Sequence, residues 1–132
     1  MARPSPSRAG GTDAGAAVVD FVFVSVLVVT LFAVVFQVGL ALHTRNVLVA
    51  LAAEGARYGA DADVDSPQEV RQRTLDGITT AFNATYAARA TVTPVLGRDV
   101  VAVRISAPMP LAFLPGSPVT LVVEGHALEE SR

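Results

Sequence analysis

The residues able to do chemistry are few and scattered. The chain of 132 residues has two histidines, His43 and His126, and no cysteine. Thiolate nucleophiles, disulfides and cysteine-held zinc are therefore excluded. The histidines lie far apart in sequence, with no nucleophile elbow, phosphate-binding loop or His-Glu-x-x-His step beside them. Asp61, Asp63 and Asp65 stand two apart, like the first three ligands of a calcium loop, but Ser66 replaces the glycine and Gln72 the glutamate that such a loop needs. A solvated acidic turn is the better reading, and no metal or cofactor is expected. One carboxylate stands out by its surroundings: Asp20 is the only charged residue between Ala16 and Leu42. Such a carboxylate needs either a helix N-terminus, whose free amides favour an anion, or a paired cation.

The element that must position Asp20 dominates the chain. Hydrophobic residues make up 52% of the sequence against 17% charged, and the mean hydropathy is +0.49. Phe21 to Leu42 contains no Asp, Glu, Lys or Arg. As a helix this stretch is roughly 33 Å long, against a bilayer core of about 30 Å. It predicts a transmembrane helix over residues 16–42, and it is too long for the core of a secretory signal, about 7–15 residues. The preceding residues 1–15 read as a disordered leader. Arg3 and Arg8 bias the N-terminus slightly toward the cytoplasm, with the rest of the chain extracytoplasmic. A formal net charge of −2 gives no argument for nucleic-acid binding, and none is expected.

Past Leu42 the chain stays free of proline and rich in Ala and Leu, so the helix is expected to run on over residues 43–60. Ala52, Ala56 and Ala60 recur every fourth residue, with Gly55 and Gly59 beside them. Small residues on one face allow another helix to approach closely. Glu54 and Arg57 form an i, i+3 pair of opposite charge.

Gly15-Ala16-Ala17-Val18-Val19-Asp20-Phe21, with the apolar helix behind it, resembles a type IV prepilin-like processing site. The resemblance implies cleavage between Gly15 and Ala16 by a membrane peptidase, leaving an amine for Asp20 to pair with. The family's usual residue there is Glu, so Asp20 keeps the charge with less reach. Thr44-Arg45-Asn46-Val47-Leu48, followed by Ala52-Ala53-Glu54-Gly55-Ala56-Arg57-Tyr58, resembles the TadE family of tight-adherence pilus proteins. On that resemblance Arg45, Asn46, Glu54, Arg57 and Tyr58 are the family motif, and the motifs cover about Gly15 to Gly59. The implied partners are membrane lipid, pilin-like subunits, the tight-adherence assembly machinery and a prepilin peptidase.

The distal half, residues 61–132, reads as a small α+β head. Ser66-Pro67-Gln68-Glu69 is a helix start, with Ser66 as cap and Glu69 completing a capping box. Leu75, Ile78, Phe82 and Tyr86 form one apolar stripe, predicting a helix from Pro67 to about Arg89. The Asn83-Ala84-Thr85 sequon then falls mid-helix. After it the period becomes two: Val101, Val103 and Ile105, then Val119, Leu121 and Val123, with Thr91-Val92-Thr93 leading in and Gly97-Arg98-Asp99 as a turn. About three antiparallel strands are expected. The connector from Pro108 to Gly116 carries Phe and Leu residues that would dock on a membrane or a partner if exposed, or pack beneath the sheet. So short a head is expected to lean on the long helix.

Taken together, the sequence predicts an α+β protein: a long N-terminal transmembrane helix running into a head of one helix and about three strands. Its expected function is assembly without enzymatic activity, as a TadE-like minor pilin or pseudopilin in a single-pass membrane setting. The competing reading is a membrane-anchored extracytoplasmic binding protein with no filament role.

Overall fold

The computed structural model describes residues 12–61, 64, 66–97, 100–109 and 119–128. The Ala- and Val-rich N-terminal half forms one helix, α1, over Thr12–Gly59. Residues 12–15, read from sequence as leader, are helical, so only residues 1–11 of the leader lie outside the described residues. The C-terminal end falls one residue short of the expected position. There the Ala60 N–H donates to the Ala56 and Arg57 carbonyls at 3.0 and 3.1 Å, closing the last turn.

The chain divides into two compact units, Met1–Phe36 and Gln37–Arg132. The described part of the first is helix alone. Its large apolar side chains are exposed all round: Phe21 is 72% exposed, Leu27 67% and Phe32 68%. This helix is long and apolar enough to cross a membrane. An apolar surface on every side has no favourable place in water, and a lipid environment is what stabilises it.

The second unit is the head, and the remainder of α1 is part of its core. On α1, Gln37, Thr44, Leu48, Ala52, Gly55, Ala56 and Gly59 are buried. Apart from the adjacent pair Gly55 and Ala56 they recur every three, four or seven residues and so form one stripe. Against it pack α2 (Pro67–Ala81), α3 (Ala84–Ala88) and a sheet of β1 (Thr91–Leu96), β2 (Val100–Pro108) and β3 (Thr120–Leu128). The sheet is antiparallel in the order β1-β2-β3, with Val92 opposite Ile105 and Ile105 opposite Val123. The alternation in β2 does what it predicts: Val101, Val103, Ile105 and Ala107 are buried, while Arg104 is exposed.

Two local expectations are corrected. The helix expected to run to Arg89 breaks at Phe82, and Asn83 starts a new one. Its Oδ1 accepts the Tyr86 N–H at 2.7 Å, an N-cap that an asparagine side chain is suited to supply. The apolar stripe crosses the break because both helices face the same core, and the Phe82 and Tyr86 rings lie 4.7 Å apart. The sequon at Asn83 is therefore a cap and not mid-helix. The capping box at Ser66 does not form either. Ser66 makes no side-chain cap and its hydroxyl lies 3.2 Å from Gln68 Oε1, while Glu69 is engaged by Tyr58.

Candidate functional site

The chemically suggestive residues do not converge. His43 is exposed on α1, while His126 sits on β3 with its Nε2 3.0 Å from Glu124 Oε1. Glu124 Oε2 also accepts from Arg104 Nη2 at 3.1 Å across the β2–β3 pair. The Arg104 hydrogen bond holds the Glu124 carboxyl below the usual carboxylate range, helped by the Arg104 and His126 charges. This is a solvated cross-strand charge cluster on the outer face of the sheet. Among the described residues no group of three His, Cys, Asp or Glu could hold a metal. Asp63 and Asp65 of the acidic turn lie outside the described residues, as do residues 110–116 of the apolar connector.

Gly15, Ala16 and Asp20 all lie within α1 and are exposed. In a helix the nitrogen of residue 16 and the side chain of residue 20 are one turn apart on one face. An amine created at Ala16 would therefore lie close to the Asp20 carboxylate of its own chain.

The Glu54-Gly55-Ala56-Arg57-Tyr58 segment is where the structure gives sequence residues a clear job. Gly55 and Ala56 are buried and Glu54 and Arg57 exposed. Glu54 and Arg57 form no ion pair with each other; the pairs among the described residues are those of Glu124. A Cβ on Gly55 would collide with Thr74 Oγ1 of α2, and one on Gly59 would stand 3.0 Å from both Val70 and Val101. The small face of α1 thus receives α2 and the sheet of its own head. Tyr58 completes the joint: its hydroxyl donates to Glu69 Oε1 at 2.6 Å, and the Arg73 guanidinium sits 5.9 Å from its ring centre. The hydrogen bond to Glu69 is the main reason the Tyr58 hydroxyl is held above its ordinary pKa, since a phenolate could not donate to a carboxylate.

Arg45 and Asn46 are exposed, between buried Thr44 and Leu48. They take no part in the joint. A shallow cavity of about 390 Å³ opens beside it, between α1 and α2, with Leu51, Glu54, Gly55, Arg73 and Gly77 among its lining.

Sequence reasoning missed the partners of this joint. Thr74 and above all Gly125 were not singled out, and Glu69 was given a cap role in place of its bond to Tyr58. A Cβ on Gly125 would run into the backbone of Ala52 and Ala53, so β3 passes against α1 with no room for a side chain. A glycine inside a strand is the available signal, because it marks close backbone approach.

An all-round apolar helix whose last part is the backbone of a small α+β head defines a single-helix membrane protein with an attached extramembranous domain. More particularly, the family model of TadE-like proteins matches residues 15–57, so over that segment the chain is similar to TadE-like proteins. That is the segment from the Gly15 step through Arg57, and the match supports a membrane protein associated with the tight-adherence pilus. No curated protein and no solved structure matches the chain.

Proposed function

We propose that this chain is a non-enzymatic TadE-like minor pilin or pseudopilin that takes part in assembling a tight-adherence pilus. Its N-terminus is cytoplasmic and its head extracytoplasmic. Its partners are membrane lipid, pilin-like subunits and the assembly machinery, with a prepilin peptidase cutting after Gly15. The observation that carries this reading is the TadE-like match over residues 15–57, which includes the exposed apolar helix and Asp20. The mechanism is association: the helix holds the chain in lipid, and Asp20 neutralises an N-terminal amine where neither charge is tolerable alone.

The test is the intact mass of the protein from native membranes. A species lacking residues 1–15 is expected, and a full-length mature species counts against processing. Asp20→Ala then separates the two roles. Filament participation predicts lost assembly with insertion retained, whereas an anchor without a filament role predicts no loss. One observation favours that second reading: the small-residue face at residues 52–59 is filled by the chain's own head and is closed to neighbouring helices.

A further inference from the structure

The head lies along α1 in a readable register. Gly59 faces Val101 and Gly55 faces Val103, whose side chains would meet added Cβ atoms at 3.0 and 3.6 Å. Two strand residues, about 6.6 Å, thus match four helical residues, about 6 Å, so β2 runs beside α1 in the opposite direction. Continued at that step, Ala107 falls beside about residue 47 and Met109 beside about residue 43. At this end the Met109 N–H donates to the Val119 carbonyl at 2.8 Å, tying β2 to the start of β3. The Met109–Val119 end of the sheet is therefore level with the point where the uncharged stretch Phe21–Leu42 stops. The covered stripe on α1 continues past Thr44 to Gln37, inside that stretch.

The segments at the Met109–Val119 end are free of acids. No Asp or Glu occurs from Phe21 to Ala53, from Gly77 to Gly97, or from Val100 to Val123, whereas these segments contain Arg45, Arg89 and Arg104. Arg45 lies at the level of Met109. Arg89 is tied to the same end through Tyr86: its N–H donates to the Tyr86 carbonyl at 3.0 Å, and the Tyr86 hydroxyl donates to the Pro108 carbonyl at 2.9 Å. At the opposite end Asp61 lines a cleft with Arg57, Ala127 and Leu128, and Glu69 is bound to Tyr58.

We propose that the Met109–Val119 end of the head rests on the phosphate layer of the lipid bilayer, with exposed Arg45 and Arg89 toward lipid phosphates and Tyr86 at the interface. Arginine suits phosphate, and tyrosine, apolar in body and polar at its tip, suits the headgroup level. Asp61 and Glu69 then lie at the end away from the membrane, where an anionic surface repels them least. The head is seated on the bilayer instead of being held off it on a stalk. This rests on the reading that α1 crosses the membrane.

The native absence of cysteine permits single labels. Full-length V119C and V95C, carrying an environment-sensitive fluorophore, are reconstituted into vesicles of phosphatidylcholine and phosphatidylglycerol containing a headgroup nitroxide lipid. Val119 is 48% and Val95 58% exposed, and Val95, paired with Ala102, belongs to the far end. V119C is expected to be quenched several-fold more than V95C, and R45Q/R89Q is expected to reduce that difference. Equal quenching of V119C and V95C overturns the seating, and a difference unmoved by R45Q/R89Q overturns the phosphate contact. Protein that fails to float with the vesicles instead refutes the membrane-spanning reading itself.

Discussion

Gly125→Ala is the sharpest test of how the head is built. In an open strand this change is favourable: alanine restricts the unfolded chain and is worth roughly 0.4–1 kcal/mol where the native backbone accepts it. Gly125 has no positive φ to protect, so backbone conformation gives no reason for harm. The obstacle is steric. The new methyl would lie against the Ala53 nitrogen and the Ala52 carbonyl group, all α1 backbone, with no side chain able to rotate away. Either β3 or α1 must shift, and α1 is fixed by Leu48, Ala52 and Ala56, each 0% exposed. Overpacking a filled core costs about 1–3 kcal/mol, and a backbone obstacle belongs at the upper end of that range. The expected net effect is a loss of about 2–3 kcal/mol, opposite in sign to the open-strand expectation. Urea unfolding of the full-length protein in detergent, followed by near-ultraviolet circular dichroism, measures it. Gly39→Ala, where an added Cβ meets nothing within 4 Å, is the control. A Gly125→Ala protein as stable as the parent would refute the close passage of β3 over α1.

Two further predictions concern the joint and the charge cluster. Gly55→Ala should destabilise by about 1–3 kcal/mol, and Thr74→Ala in the same chain should recover part of the loss, because the obstructing atom is Thr74 Oγ1. A double-mutant cycle showing simple additivity would contradict that contact. Glu124, with its folded pKa lowered chiefly by the Arg104 hydrogen bond, contributes stability that is present above the unfolded carboxylate pKa. That contribution is lost as pH falls through the carboxylate range toward the folded value. An NMR titration should find the Glu124 carboxyl titrating at higher pH in Arg104→Gln, and an unchanged midpoint would dismiss the pair.

Much of this fold was legible because its periods are strong. The uncharged run set the helix, the alternation of Val101, Val103 and Ile105 set β2, and Pro67 marked the start of α2. The failures have physical causes. A stripe at helical spacing reports which core a residue faces, not whether the backbone is continuous, so Leu75 to Tyr86 concealed the break at Asn83. The expected box at Ser66 and Glu69 lost to a tertiary partner, since Glu69 accepts from Tyr58, eleven residues back. The small residues of α1 were legible as a packing face, but their partner was not, because small residues specify closeness without saying to what. Gly125 shows this most clearly: its role depends on three backbone atoms more than seventy residues away.

The same contacts decide whether the head can exist without its helix. From Ala60 onward the chain is about the size at which one core rarely supplies more than 3–5 kcal/mol. Leu48, Ala52 and Ala56 of α1 are wholly buried in that core. Removing α1 takes away the burial of Leu48, about 1.5–3 kcal/mol by itself. It also uncovers one side of Val70, Val101 and Val103, which pack on Gly55 and Gly59. These losses match or exceed the whole margin, so residues 60–132 should be unfolded in isolation. Residues 37–132, which retain the covered stripe, should fold. Amide dispersion in ¹⁵N-correlated spectra of the two fragments decides it. A dispersed spectrum and cooperative melting for residues 60–132 would show that the head does not need α1, and that the small face of α1 is available to other helices after all.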